Sequence, residues 1–211
     1  SRERAVVRVQ VAGADGLWSD PSPARTVEAS LLEPTDWTAR PVGARWLEPR
    51  ESDERRPSLV RRSFTVDGEV ARARLYATAH GLYEAELNGR RVGDDTLSPG
   101  WTSYDSRLRY YTYDVTDLLA PGENAIGAWL GDGWYRGRVG WYEGFRNVFG
   151  EDLSFLGQLE ITYADGRRET IATDSTWRTA ASPILRSGIY DGEDYDARLE
   201  HDGWSSPGFD D

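Results

Sequence analysis

Along most of the chain apolar and polar residues alternate with a period of two, the pattern of strands that bury one face. Residues 5–11 place Ala5, Val7, Val9 and Val11 on one side, and a second strand is predicted over 25–29, after the turn cluster Gly13-Ala14-Asp15-Gly16. Residues 59–66 give the next strand, turned by Asp67-Gly68, and residues 71–79 put Ala71, Ala73, Leu75 and Ala77 on one face. Residues 82–87 run into Asn88-Gly89 and return over 90–93. Asn-Gly between strand-like flanks predicts a tight hairpin, because both central residues of such a turn take positive φ. Further strands are predicted over 108–115, 125–130, 154–163 and 167–172, with two more near Trp177 and Ile184. Residues 35–37 and 116–119 read as short helical turns, and nowhere is a helical period of 3.6 sustained. The pattern predicts an all-β chain, an antiparallel sandwich of the jelly-roll kind.

Three stretches interrupt the alternation. Residues 31–56 read as a linker, with Pro34 and Pro41 and a charged surface loop over 48–57. Residues 94–105 are irregular, polar and aromatic, and a loop of that length in a compact β domain is more often functional than not. The third stretch, residues 131–142, is the one around which the chain is organised. It leaves the strand 125–130 with a glycine at every third or fourth position, which lets the backbone approach another surface closely. Between the glycines stand Trp134, Tyr135, Trp141 and Tyr142, flanked by Asp132, Arg136 and Arg138. Flat rings beside a carboxylate and guanidinium groups suit a small polyol, which stacks its C–H face and hydrogen-bonds through its hydroxyls. The competing reading makes Trp134 and Trp141 core anchors. Residues 143–152 are a further irregular excursion, and residues 189–211 trail off acidic and rich in turns.

Composition narrows the function. The formal net charge is −11, and all 25 basic residues are Arg, never more than two in a row. Nucleic acid and anionic membrane surfaces are therefore poor partners. There is no Cys, which excludes disulfides and thiol chemistry, and the two His, His80 and His201, are too few for a His-based zinc site. No apolar run reaches the length of a membrane span. The chain contains no Met at all, which fits a piece of a longer protein.

Residues 1–30, with the run Trp18-Ser19-Asp20-Pro21, resemble the last two strands of a fibronectin type III domain. Farther on, Leu87-Asn88-Gly89 with Val92-Gly93, then residues 113–119, then Gly122-Glu123-Asn124, are similar to the jelly-roll, galactose-binding-like domains of many glycosidases. Residues 98–104 (SPGWTSY), 130–137 (LGDGWYRG) and 192–198 (GEDYDAR) narrow the resemblance to the N-terminal β-sandwich domain of bacterial α-L-rhamnosidases, glycoside hydrolase family 78. It covers roughly residues 57–211.

The resemblance implies a parent that removes terminal α-L-rhamnose with inversion, using two carboxylates in an (α/α)6 barrel elsewhere in the parent chain. A fibronectin-like neighbour fits a secreted or cell-surface enzyme. The fragment is then expected to be non-catalytic and to need no cofactor, with that barrel domain and rhamnose-containing glycans as partners. Contact with sugar or with the barrel is expected from Trp101, Tyr104, Asp132, Trp134, Tyr135, Arg136, Trp141, Glu193 and Tyr195. The alternative is an autonomous rhamnose-binding module. Some relatives of this type use calcium, for which Asn88, Asp94, Asp95 and Asp105 are the candidates here; a solvated loop pair is the plainer reading of Asp94-Asp95. Residues 193–196 also read as loop caps or as an interface. An inverting pair needs carboxyls about 6.5–9.5 Å apart. Glu143, Asp152, Glu193 and Asp196 are acids that chance alone could place so.

Overall fold

The structure is a computed structural model that describes residues 1–44, 55–142 and 144–210. Most of the charged loop 48–57, and Glu143, lie outside the described residues. The chain divides into two compact units, Ser1–Thr38 and Ala39–Asp211.

In the first unit β1 (Arg4–Val7) pairs antiparallel with β2 (Arg25–Glu28). The strand predicted over 5–11 is shorter than expected. Beyond Val7 the pairing continues through irregular bonds, in which Val9 exchanges with Ser22 and Ser19 donates to the Val11 carbonyl. The face of Val7, Val9 and Val11 is exposed. A 3-10 turn at Pro34–Asp36 stands where a helical turn was expected, and Arg2 pairs with Asp36 at 2.9 Å.

The second unit is the jelly-roll sandwich. Its strands are β3 (Ser58–Val66), β4 (Val70–His80), β5 (Leu82–Leu87), β6 (Arg90–Arg91), β7 (Tyr111–Asp114), β8 (Gly122–Gly131), β9 (Ser154–Tyr163), β10 (Arg168–Ala172) and β11 (Arg178–Ala181). One sheet has the order β10-β9-β4-β7 and the other β11-β3-β8-β5-β6, with every pairing antiparallel. Odd-numbered residues of β4 and β9 (Ala73, Leu75, Ala77, Leu159, Ile161) meet the inward set of the other sheet (Val60, Phe64, Ala85, Leu87, Ile126, Ala128) in one core. Ala71 does not join it, because a register shift between Val70 and Arg72 breaks the alternation and leaves it exposed. Residues 40–42, within the stretch read as linker, bond to this unit: Arg40 N–H donates to the Thr173 carbonyl, and Val42 bridges Phe155.

The Asn88-Gly89 hairpin forms as predicted, with φ of 54° and 73° and Leu87 facing Arg90. The strand predicted over 108–115 contracts to β7. Its ladder with β4 stops at Ala77–Tyr111, and the Thr78 hydroxyl takes the Arg109 carbonyl instead.

Two features of the C-terminal stretch depart from the expected trailing coil. Residues of β12 (Ile184–Gly188) and β13 (Gly192–Tyr195) form a hairpin, and the segment after it packs on the five-stranded sheet. Trp204 is buried edge-on to Trp129 at 5.4 Å, and Ser205 Oγ bonds Glu86. Gly127 makes this close approach possible, since a Cβ there would sit 2.4 Å from the Trp204 ring. Trp204→Ala should therefore cost about 3 kcal/mol, the usual range for emptying a large aromatic site. Urea unfolding of the variant measures it, and an unchanged midpoint would contradict the role given to this segment.

Candidate functional site

The aromatic edge is built where β8 ends. Gly131 closes the strand, and Asp132 starts a single helical turn, α1 (Gly133–Arg136), inside the stretch read as a loop. Gly133 has φ +53°, and a Cβ there would meet Leu82 at 2.6 Å, so the turn lies directly on β5. Asp132 does not cap this turn with its side chain. Its Oδ1 accepts from Arg136 Nε at 2.9 Å and Nη2 at 2.6 Å, while Arg146 Nη1 lies 3.5 Å from its Oδ2. Both partners of the inner pair are buried, Asp132 at 2% exposure and Arg136 at 6%. Arg136 also donates to the Arg55 carbonyl at 2.9 Å. These two residues, expected to reach a ligand or a neighbouring domain, are turned inward because each satisfies the other's charge away from water.

The pairing extends as a chain. Arg146 Nη2 lies 3.1 Å from Asp191 Oδ2, and Asp191 Oδ1 accepts from Arg138 Nε at 2.9 Å and Nη2 at 2.6 Å. Arg138 then donates through Nη1 to the carbonyls of Gly140 at 2.9 Å and Tyr142 at 3.0 Å. Arg138 and its neighbours hold the Asp191 carboxyl below the usual carboxylate range, chiefly through the Arg138 hydrogen bonds. Asp191 sits in the turn between β12 and β13, so the chain ties that hairpin to the aromatic loop.

Around this frame four of the expected residues gather. Trp101 stacks with Trp134 at 6.0 Å, and Tyr104 meets Tyr135 edge-on at 5.1 Å. Phe149 touches both Trp101 and Tyr104, and His80 stacks on Tyr135 at 4.6 Å. Tyr104 is buried, and burial raises the hydroxyl pKa of Tyr104 and Tyr135 and lowers the imidazole pKa of His80. Loops 94–105 and 131–142 therefore meet. Trp141 stands apart from the four, edge-on to Tyr190 at 5.6 Å. It is 80% exposed, Tyr142 97% and Phe145 78%, which settles the core-anchor reading of Trp141 against burial.

Glu193 and Tyr195 lie on β13, in a groove that the four clustered rings do not line. Of their neighbours, Asp194 pairs with Arg186 at 2.9 Å and Asp196 caps a 3-10 turn by accepting from Arg198 N–H. Asp152 is an exposed partner of Arg55. Asn88, the first of the calcium candidates, is engaged within the fold. Its Oδ1 accepts from Ala125 N–H at 2.8 Å, and its Nδ2 donates to Leu118 O and Asn124 Oδ1. Asp94, Asp95 and Asp105 are exposed, and among the described residues no group of three or more His, Cys, Asp or Glu could hold a metal. Sequence reasoning missed Phe149, Arg146, Asp191 and Tyr190. No local signal marks them, for they join the site only through the approach of distant loops.

Fold and surface together define a β-sandwich domain with an ion-paired, aromatic edge. The chain belongs to the α-L-rhamnosidase N-terminal domain family, whose profile matches residues 68–211. It is 44% identical over 208 residues to an α-L-rhamnosidase of Streptomyces avermitilis, covering 94% of this chain and 20% of that protein. The structure of native α-L-rhamnosidase from Aspergillus terreus superposes with a TM-score of 0.93 at 48% identity, over 100% of this chain and 24% of that one. The Streptomyces avermitilis enzyme complexed with L-rhamnose gives 0.72 at 40% identity, over 98% and 21%. The chain thus spans about a fifth of the length of the curated relatives it matches.

Two outcomes test the ion-pair frame. Asp132→Asn removes the charge that two guanidinium groups share, and should cost about 3 kcal/mol in urea unfolding. The Asp191 carboxyl is depressed in the folded state, so the unfolded chain binds its proton first on acidification. Its stabilisation is present above the ordinary Asp value of 3.8 and is lost as pH falls through the lower folded value. Asp191→Asn should flatten that part of the acid limb, and a superimposable pH–stability curve would refute the linkage.

Proposed function

We propose that this domain is a non-catalytic accessory module of an α-L-rhamnosidase, which packs on the catalytic barrel domain and helps shape the substrate entrance. The observation that carries this reading is the braced display of Trp141, Tyr142 and Phe145. Apolar rings this exposed are usually covered by another surface, and here Arg138 holds their backbone in place instead of letting them collapse. Trp101, half in solvent beside Trp134, adds a separate exposed ring. In the full-length parent, acrylamide should quench Trp141 at least about twofold less than in the 211-residue chain, with Trp141→Phe identifying its share of the emission. Equal quenching in both proteins would sink the reading.

The second reading, an autonomous rhamnose-binding module, is favoured by the Trp101–Trp134 pair, whose near-parallel rings at 6.0 Å have Phe149 edge-on to Trp101. It requires saturable heat on titration of the chain with L-rhamnose at about millimolar concentration, where binding is worth roughly 4 kcal/mol. Runs with and without calcium decide whether the ion takes part.

For catalysis the expectation is negative: the chain alone should not hydrolyse a chromogenic α-L-rhamnoside. A general-acid carboxyl needs a desolvated pocket to raise its pKa. Asp152 is exposed beside Arg55, and Asp196 is committed to Arg198, which lowers its pKa. Turnover above a blank that is abolished by Glu193→Gln or Glu143→Gln would overturn this. Turnover surviving both substitutions marks a contaminating hydrolase.

A further inference from the structure

The outer face of the five-stranded sheet carries a groove of about 640 Å³, lined by Leu82 and Glu84 of β5, Trp129 of β8, and Ser187, Glu193 and Tyr195 of the β12–β13 hairpin. Two of its aromatic residues, Trp129 and Tyr195, bond to residues outside the groove. Trp129 Nε1 donates to Glu86 Oε1 at 2.9 Å, and its ring meets Trp204 at 87°. The Tyr195 hydroxyl donates to Glu200 Oε1 at 2.8 Å. With these polar ends engaged, that of Trp129 against the sheet and that of Tyr195 at the surface, both residues offer apolar ring surface to the groove.

The acceptors are carboxylates. Glu193 has no hydrogen-bond or ion-pair partner among the described residues, and Glu84 accepts only at Oε2, from Arg91 at 2.9 Å. No basic side chain lines the groove, so it repels anions. Room for a ligand comes partly from Gly192, where φ is +77° and a Cβ would meet nothing within 4 Å.

We infer that this groove binds a neutral glycosyl unit. Ring faces take the C–H surface of the sugar, while Glu193 and the second oxygen of Glu84 accept hydrogen bonds from two hydroxyls. Such charge-assisted bonds are about twice as strong as neutral ones. The site differs in place and partners from the Trp101–Trp134 edge. It rests on the rhamnosidase-module reading only for the sugar chosen as probe.

The test follows the indole N–H resonances of the 15N-labelled chain during titration with methyl α-L-rhamnopyranoside, with galacturonate as the anionic control. Trp129→Phe assigns the Trp129 signal. That signal should shift saturably with the neutral glycoside and stay still with galacturonate. Glu193→Gln, an exposed change that leaves packing intact, should weaken the apparent affinity about fivefold, because the amide oxygen still accepts but loses the charge that roughly doubles the bond's strength. Shifts confined to Trp101 and Trp134, no shift up to about 50 mM sugar, or equal response to galacturonate would each overturn the inference. The accessory-module reading fails on a different readout, the protection of Trp141, so the two failures are distinguishable.

Discussion

The carboxylate of Asp132 is almost sealed from water and lies against two guanidinium groups. A buried charge without partners costs several kcal/mol, and Arg136 and Arg146 supply partners here. That requirement fixes more than one pair. Arg146 shares its second carboxylate, Asp191, with Arg138, and Arg138 grips the carbonyls of Gly140 and Tyr142. One string of alternating charge joins the end of β8, the aromatic loop and the turn of the β12–β13 hairpin.

This string explains how a loop with little regular structure holds a shape. Among the described residues of 137–150 the β-pairing is confined to an isolated bridge, Val139 to Phe145, and Tyr142 and Asn147 stand at positive φ. Hydrophobic collapse would draw the rings of Trp141 and Tyr142 inward. Guanidinium bonds to the loop carbonyls oppose that, and because the ions are partly shielded from solvent, salt screens them little. The same string locates the hairpin over β5 and β8, and so makes one wall of the groove on the outer sheet face.

Around the string the sandwich is an ordinary β core, and the unusual covering is at the C-terminal end. Trp204 and Ser205 bury part of the outer face of a sheet whose inner face already packs against β4 and β9. The segment is therefore part of the domain's own packing. Together with the hairpin it leaves one stretch of that outer face, at Trp129, lining the groove.

The alternation of residues by itself determined the strands β3, β4, β5, β8, β9 and β10, the Asn88-Gly89 turn and the antiparallel sandwich. These follow from a period of two, and a period of two is a property of neighbours along the chain. The aromatic content of loops 94–105 and 131–142 was legible for the same reason, and the family likeness rests on those very stretches. Which way each polar residue turns was not. Asp132 and Arg136 read as ligand contacts because charge beside aromatics looks the same whether it faces solvent or the interior. Only the arrival of Arg146 and Asp191, from 10 and 55 residues farther on in the numbering, decided that the pair lies inside. Asn88 likewise was readable as a turn residue, but its three bonds to Leu118, Asn124 and Ala125 depend on a strand crossing that no local pattern encodes. The hairpin at Glu193 escaped the sequence because strand β13 is exposed along its whole length, and a strand that buries nothing leaves no alternation to read.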